Sequence, residues 1–160
     1  MTRPAYEMQR GMGAVFGLNA GWEHPLWFAD APGTEDTNGF ARQNWFEPVG
    51  REAAMLRDAV GVIDISNFGK YEVTGPGAGD WLDVLVANHV PREIGKSCLT
   101  PLIGMRGGVA GDFTVTMTGD ESYMMIGSGM AERYHRRFFD MVPLPDGTGF
   151  EVATLRIAGF

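Results

Sequence analysis

From Asp112 onward, polar and apolar positions alternate strictly. Phe113, Val115 and Met117 fall on one side of an extended chain, while Asp112, Thr114 and Thr116 fall on the other. The pattern predicts a strand with one packed face and an opposite face that displays an acid and two hydroxyls. Ahead of it runs Arg106-Gly107-Gly108-Val109-Ala110-Gly111, a stretch of nearly bare backbone that a flat ligand can approach closely. Thr118-Gly119-Asp120-Glu121 reads as a turn and 123–126 as the returning strand, so 109–126 is expected to be a β-hairpin. The same alternation describes an ordinary solvent-facing strand whose Asp marks its start. Pattern alone does not assign it a ligand.

The other periodic stretches follow in order. Residues up to 44 are broken by Gly11, Gly13, Gly17, Gly21, Pro25, Pro32 and Gly33, and read as an irregular linker. Phe16, Trp22, Trp27 and Phe28 lie inside it, and so many aromatics imply a segment that lies across another surface. Val49, Ala53, Leu56 and Val60 recur at helical spacing, with Pro48 suited to the first turn and Gly61 to the end. Val62-Ile63-Asp64-Ile65-Ser66 reads as a short strand, and Tyr71-Glu72-Val73 as another. A helix over about 78–88 buries Trp81, Leu82 and Leu85; Trp81 is core by its spacing. Residues 98–103 form a strand that Pro101 confines to an edge or a bulge. A helix over about 131–141 carries Ala131, Tyr134, Phe138 and Val142 inward, and a last strand begins at Phe150 and runs toward Ile157. The elements predict an α+β fold, with a mixed or antiparallel sheet and packed helices. The expected division is an irregular segment 1–44 and a domain 45–160.

Composition narrows the function classes. The 160 residues suffice for one domain with a core, and a formal net charge of −7 argues against a nucleic-acid partner. Arg133, Arg136 and Arg137 form the only basic cluster. No apolar run approaches membrane-spanning length and no secretory signal is evident, so no membrane partner is expected. Cys98 stands alone, which suits a cytoplasmic or mitochondrial-matrix setting.

Most candidate chemistry falls away on inspection. His24, His89 and His135 lack metal-ligand spacing, so no metal is expected. Ser66, Ser97, Ser122 and Ser128 lack a nucleophile elbow, and Cys98 reads as a small buried residue. Gly75-Pro76-Gly77-Ala78-Gly79-Asp80 superficially resembles a phosphate loop. It has no Lys-Ser/Thr ending, and Asp80 would stand where an anion belongs. Met124 and Met125 must face opposite sides of their strand, one into the core and the other toward the Asp112 face.

Several stretches, taken in order, resemble the folate-binding aminomethyltransferase family. They are Gly13-Ala14-Val15-Phe16-Gly17, Gly21-Trp22-Glu23-His24-Pro25, Asn44-Trp45-Phe46, Val49-Gly50-Arg51-Glu52 and Gly61-Val62-Ile63-Asp64-Ile65-Ser66. Phe68-Gly69-Lys70, Gly75-Pro76 and the stretch from Gly107 to Val115 complete them. The likeness covers nearly the whole chain and is nearest to the C-terminal half of dimethylglycine and sarcosine dehydrogenases, with Gly-Trp-Glu-His-Pro separating the flavin-linked members from the glycine-cleavage T-protein. It implies the N-terminal part of an aminomethyltransferase folate-binding domain.

By that resemblance the chain binds tetrahydrofolate and acts on a small methylated amine. A separate flavin domain or subunit oxidises the amine to an iminium, and the folate domain captures the one-carbon unit as methylenetetrahydrofolate. The family's key carboxylate matches Asp112, with Thr114 as a second polar contact. Leu99, Phe68 and Met125 match apolar positions around the pterin and its linker, and each is equally compatible with plain core. No Gly-x-Gly-x-x-Gly unit follows a strand, so FAD is expected only in a missing N-terminal domain. The family's later folate contacts would lie beyond Phe160, so the chain is expected to be a fragment or one piece of a split protein. The alternatives are a non-catalytic folate-binding or regulatory module of the same fold, a T-protein-like aminomethyltransferase, or, against the aromatic-rich N-terminal segment, a flavin-free demethylase of a sulfonium substrate.

Overall fold

A computed structural model describes residues 5–19 and 21–154. The described residues divide into two compact units, one up to Ser66 and one from Asn67 onward.

The first unit is more regular than its glycines suggest. Helix α1 (Tyr6–Gly11) leads into strand β1 (Ala14–Asn19) and strand β2 (Trp22–Phe28), which pair antiparallel. The expected irregular segment therefore holds a helix and a hairpin. Gly13 and Gly21 stand at positive φ, at 91° and 84°, where the chain turns into each strand. Pro25 is tolerated in β2 because the ladder there is irregular, slipping between Val15 and Phe16. Trp27 is core in this unit with Val15 and Ala29, against Trp45 and Val49, and its indole N–H donates to Asp36 Oδ1 at 2.6 Å. Helix α2 (Phe46–Asp58) forms where the helical spacing predicts, starting three residues earlier.

Residues 62–66 form no strand. The Asp64 carboxylate accepts the Ser66 N–H at 2.8 Å and the Gln9 side-chain amide at 2.8 Å. A local side-chain acceptor thus takes a backbone donor that a ladder would need. Val62 and Ile63 are left exposed.

The second unit is an antiparallel sheet with helices on one face. Its elements in chain order are β3 (Gly69–Thr74), α3 (Ala78–Leu85), β4 (Ser97–Ile103), β5 (Val109–Gly119), β6 (Ser122–Gly127), α4 (Glu132–Phe139) and β7 (Gly149–Val152). The strand order is β4-β5-β6-β3-β7, and every neighbouring pair is antiparallel. One core joins Tyr71, Val73, Phe113, Val115, Met117, Tyr123 and Met125 from the sheet to Trp81, Leu82, Leu85 and Phe139 from α3 and α4. The α+β class, the 109–126 hairpin and the buried face of α3 agree with the sequence reading. β7 begins one residue before Phe150, and the expected continuation over 155–157 lies outside the described residues.

β4 is an edge strand, as Pro101 requires. Its outer side is covered by the chain just after α3. Ala87 N–H donates to Pro101 O at 2.9 Å, the Asn88 side-chain amide to Leu99 O at 2.8 Å, and Asn88 N–H to Thr100 Oγ1 at 3.0 Å.

Helix α4 is rotated relative to expectation. His135 and Phe139 are buried, whereas Tyr134 is exposed and Phe138 only packs at the margin of the core. A pattern reading counts histidine as polar and so selects the neighbouring stripe. Here the ring is buried because Tyr71 gives it a hydrogen-bond partner, the Nδ1–hydroxyl distance being 3.0 Å.

Two predictions follow from this packing. Phe139 meets Tyr71 and Phe150 with ring centroids 5.1 Å away in each case. Phe139→Ala should cost about 3–5 kcal/mol in urea unfolding, and Tyr134→Ala under about 1 kcal/mol. The second concerns Asp83, which accepts Val90 N–H at 2.7 Å and Arg92 at 2.7 Å and faces His89 at 3.4 Å. Burial pushes its carboxyl up, but Val90, Arg92 and His89 together hold it below the ordinary carboxylate value. A carboxyl depressed on folding contributes stability at neutral pH, and loses it as pH falls from about 4 through the folded value. Asp83→Asn should therefore lower the unfolding free energy near neutral pH and narrow the gap from wild type at about pH 3.

Candidate functional site

The connection into β5 is built from glycine. Gly104 N–H donates to Gly108 O and Gly107 N–H to Gly104 O, each at 2.8 Å, with Gly107 at φ 80°. The pairing with β4 then jumps from Ile103↔Val109 to Leu102↔Gly111, passing over Ala110. Such a bulge bends the strand and re-aims the side chains beside it. Asp112 comes next, opposite Pro101 and exposed to solvent.

The strict alternation places the rest. Phe113, Val115 and Met117 are buried, and Asp112, Thr114 and Thr116 stand on the outer face of the sheet. Thr114 lies opposite Leu99 on β4 and Ile126 on β6, and Ile126 lies opposite Lys70 on β3. Directly opposed residues share a face, so these four make one row across the sheet. In the next row Thr116 lies between Ser97 and Met124, with the Ser97 and Thr116 hydroxyls 2.8 Å apart. Leu99 is 68% exposed, which is unusual for a leucine on a sheet face and leaves an apolar wall beside the carboxylate.

Of the residues singled out in the sequence, Asp112, Thr114 and Leu99 come together on this face. Phe68 precedes β3 at the end of the sheet nearest Asp112, is 41% exposed, and its carbonyl accepts from Lys70 Nζ at 3.1 Å. Met125 does not join them. It is fully buried, opposite Val115 and Tyr71, in the core on the other side of the sheet. Of the adjacent methionines, Met124 takes the Asp112 face, together with Ile126. β6 must turn Tyr123 and Met125 inward to meet Met117 and Val115, and the period of two puts Met124 and Ile126 on the other face. Reading β6 against β5 in hairpin register would have found this.

The residue the sequence missed is His135. Its ring lies on the core side of β5, hydrogen-bonded to Tyr71. Burial pushes the imidazole below its ordinary value, against the opposing pull of Asp112 and then Glu132. Burial, then the charge of Glu132, holds the Tyr71 hydroxyl well above its ordinary value. No sequence signal marked the pair.

The outer face suits a flat, hydrogen-bonding heterocycle. Asp112 offers an acceptor for ring N–H groups, Thr114 a hydroxyl, and Leu99, Ile126 and Met124 apolar contact. Among the described residues no group of three or more His, Cys, Asp or Glu is arranged to hold a metal ion. No described helix is long and apolar enough to cross a membrane.

Comparisons with known proteins agree with the fold. The crystal structure of glycine cleavage system aminomethyltransferase T from Bartonella henselae superposes with a TM-score of 0.70 at 22% identity, over 95% of this chain and 38% of that one. Dimethylglycine dehydrogenase of Mus musculus is 34% identical over 141 residues, which are 87% of this chain and 16% of that protein. The pyruvate dehydrogenase phosphatase regulatory subunit of Mus musculus is 30% identical over 131 residues, 78% of this chain and 15% of that protein. The chain thus spans about a sixth of the length of these two relatives. The family model of the GCVT N-terminal domain matches residues 5–158, and with that coverage the chain belongs to the GCVT N-terminal domain family.

Proposed function

We propose that this chain is the folate-binding portion of an FAD-linked N-methyl amine dehydrogenase of the dimethylglycine or sarcosine kind. In this reading it passes the one-carbon unit of an iminium to tetrahydrofolate, giving methylenetetrahydrofolate and releasing the demethylated amine as the carbon–nitrogen bond of the donor breaks. The observation that carries the reading is the Asp112 carboxylate. It stands exposed at the start of β5, with Thr114 on the same face and Leu99 and Ile126 alongside. The similarity to dimethylglycine dehydrogenase over 87% of the chain supports the substrate class.

Bound on this face, tetrahydrofolate supplies the nucleophilic nitrogen that takes up the one-carbon unit. The chain's own part is narrower. Asp112 accepts a hydrogen bond from the ring N–H, which orients the ring. As that nitrogen forms its bond to carbon, the carboxylate receives the displaced proton. Its negative charge also offsets the positive charge of an approaching iminium. Thr114 supplies a second hydrogen bond, and the apolar wall of Leu99 and Ile126 shields the reactive carbon from water. Phe68 packs at the same end of the sheet. FAD has no place in this scheme within the chain; it belongs to a separate flavin domain or subunit.

A second reading is a regulatory module of the same fold that does not turn over. The similarity to a phosphatase regulatory subunit over 78% of the chain favours it. Transfer of a one-carbon unit from an iminium donor to tetrahydrofolate in the presence of this protein decides against that reading.

Calorimetric titration with tetrahydrofolate tests the site. Asp112→Asn keeps the shape and removes the charge, and should weaken binding about ten- to a hundredfold. Equal affinity in the variant would refute the role of the carboxylate. A companion pair separates the two faces of the sheet. Leu99→Ala should lower affinity several-fold with little effect on melting temperature. Met125→Ala should instead cost about 2–5 kcal/mol of stability, because it opens a cavity in the core.

A further inference from the structure

Beneath the start of β5 lies a buried polar pair for which the proton transfer has no use. His135 on α4 is 1% exposed and Tyr71 on β3 is fully buried. The Tyr71 hydroxyl is 3.0 Å from His135 Nδ1, and the imidazole meets the Phe113 ring edge-on with centroids 4.7 Å apart. Burial raises the Tyr71 hydroxyl, so it keeps its proton. The contact with Nδ1 sets the tautomer of the imidazole: with the phenol donating, the ring proton sits on Nε2. Burial lowers the imidazole too, so it is uncharged at neutral pH. The titratable groups that act on it are Tyr71 from β3, through the hydrogen bond, and Asp112 from the far face of β5 and Glu132 from its own helix, through their charge.

The Nε2 edge of the ring is turned toward β5. A Cβ at Gly111 would stand 2.7 Å from His135 Nε2 and 3.0 Å from its Cδ2. The imidazole therefore occupies the volume that a side chain at position 111 would need. Just past Asp112 the same thing happens on β6. A Cβ at Gly127 would stand 2.6 Å from two atoms of the Phe113 ring and 3.1 Å from the Asp112 carbonyl oxygen. The Asp112 peptide is thus flanked on the core side by two rings, each seated where a side chain is missing. The pairing with β4 is irregular just before this point, because Ala110 is passed over.

We propose that Tyr71 and His135 are positioning residues for Asp112: the phenol locks the imidazole, and the imidazole fixes the backbone of β5 where the carboxylate stands. The inference rests on the reading of Asp112 as the folate-facing acid. Neither side chain reaches the outer face, so neither is catalytic.

The test uses the purified protein and three readouts: tetrahydrofolate affinity by calorimetry, amide hydrogen exchange at Asp112, and the nitrogen resonances of the His135 ring. Tyr71→Phe keeps the ring packing and removes the hydroxyl. It should redistribute the ring proton between the two nitrogens, raise exchange at Asp112, and weaken tetrahydrofolate binding about tenfold or more. Should that variant fail to fold, His135→Gln removes the imidazole instead and is read by exchange at Asp112 and by tetrahydrofolate affinity. A double-mutant cycle adds a second arm. Gly111→Ala should weaken binding alone, but cost nothing further once His135→Ala has emptied the space.

Unaltered exchange at Asp112 in these variants overturns the proposal. So does unchanged affinity in a protein that binds tetrahydrofolate. If the wild-type protein fails to bind while the variants alter Asp112 exchange, the folate reading falls and the positioning role stands.

Discussion

Strand β5 cannot bury Phe113, Val115 and Met117 without presenting Asp112, Thr114 and Thr116 on its other side. That coupling governs the second unit. The inward residues are fixed by the rings and aliphatic chains of α3, α4 and the neighbouring strands, and each contributes on the order of a few kcal/mol through burial. The outward residues inherit their placement from that packing. A slip of one residue would bury the acid and expose the core. The carboxylate is therefore held in place by a hydrophobic interior that it never touches.

Where that coupling is local, the sequence revealed it. The alternation from Asp112 to Met117, the turn expected over 118–121 and the return through Tyr123 describe the hairpin, although β5 runs on to Gly119 through an irregular pairing at Thr118. Trp81, Leu82 and Leu85 describe the buried side of α3, and Pro101 marks the edge strand. Where placement depends on a distant partner, the sequence was silent or misleading. Residues 62–66 look like a strand until the Asp64 carboxylate takes the Ser66 N–H. The α4 stripe shifts by one position because Tyr71, 64 residues away, makes a buried histidine acceptable. Met124 and Met125 exchange roles because the register with β5 decides which faces inward. The N-terminal hairpin escaped notice because its glycines look like interruptions when read along the chain. In three dimensions some of them are the turns that let the strands meet.

The core that supports the sheet is generic, and on the proposed reading the chemistry rests on a few outward positions: Asp112, Thr114, Leu99, Ile126 and Met124. These can change with little cost to folding, because each is exposed or half-buried. Glycines 111 and 127 behave differently. They lie under rings that the core needs, so they couple the tolerant outer face to the intolerant inner one.

The outer side of β4 has a consequence of a different kind. A free strand edge recruits further strands through its bare amides and carbonyls. Here Pro101 has no amide hydrogen to offer, and its carbonyl is already taken by Ala87. The Leu99 carbonyl is taken by the Asn88 side chain. Main-chain pairing along β4 is blocked at both points, so another polypeptide cannot simply extend the sheet across them. Recognition on this side of the molecule must proceed through side chains, which read shape and charge rather than the common geometry of a backbone.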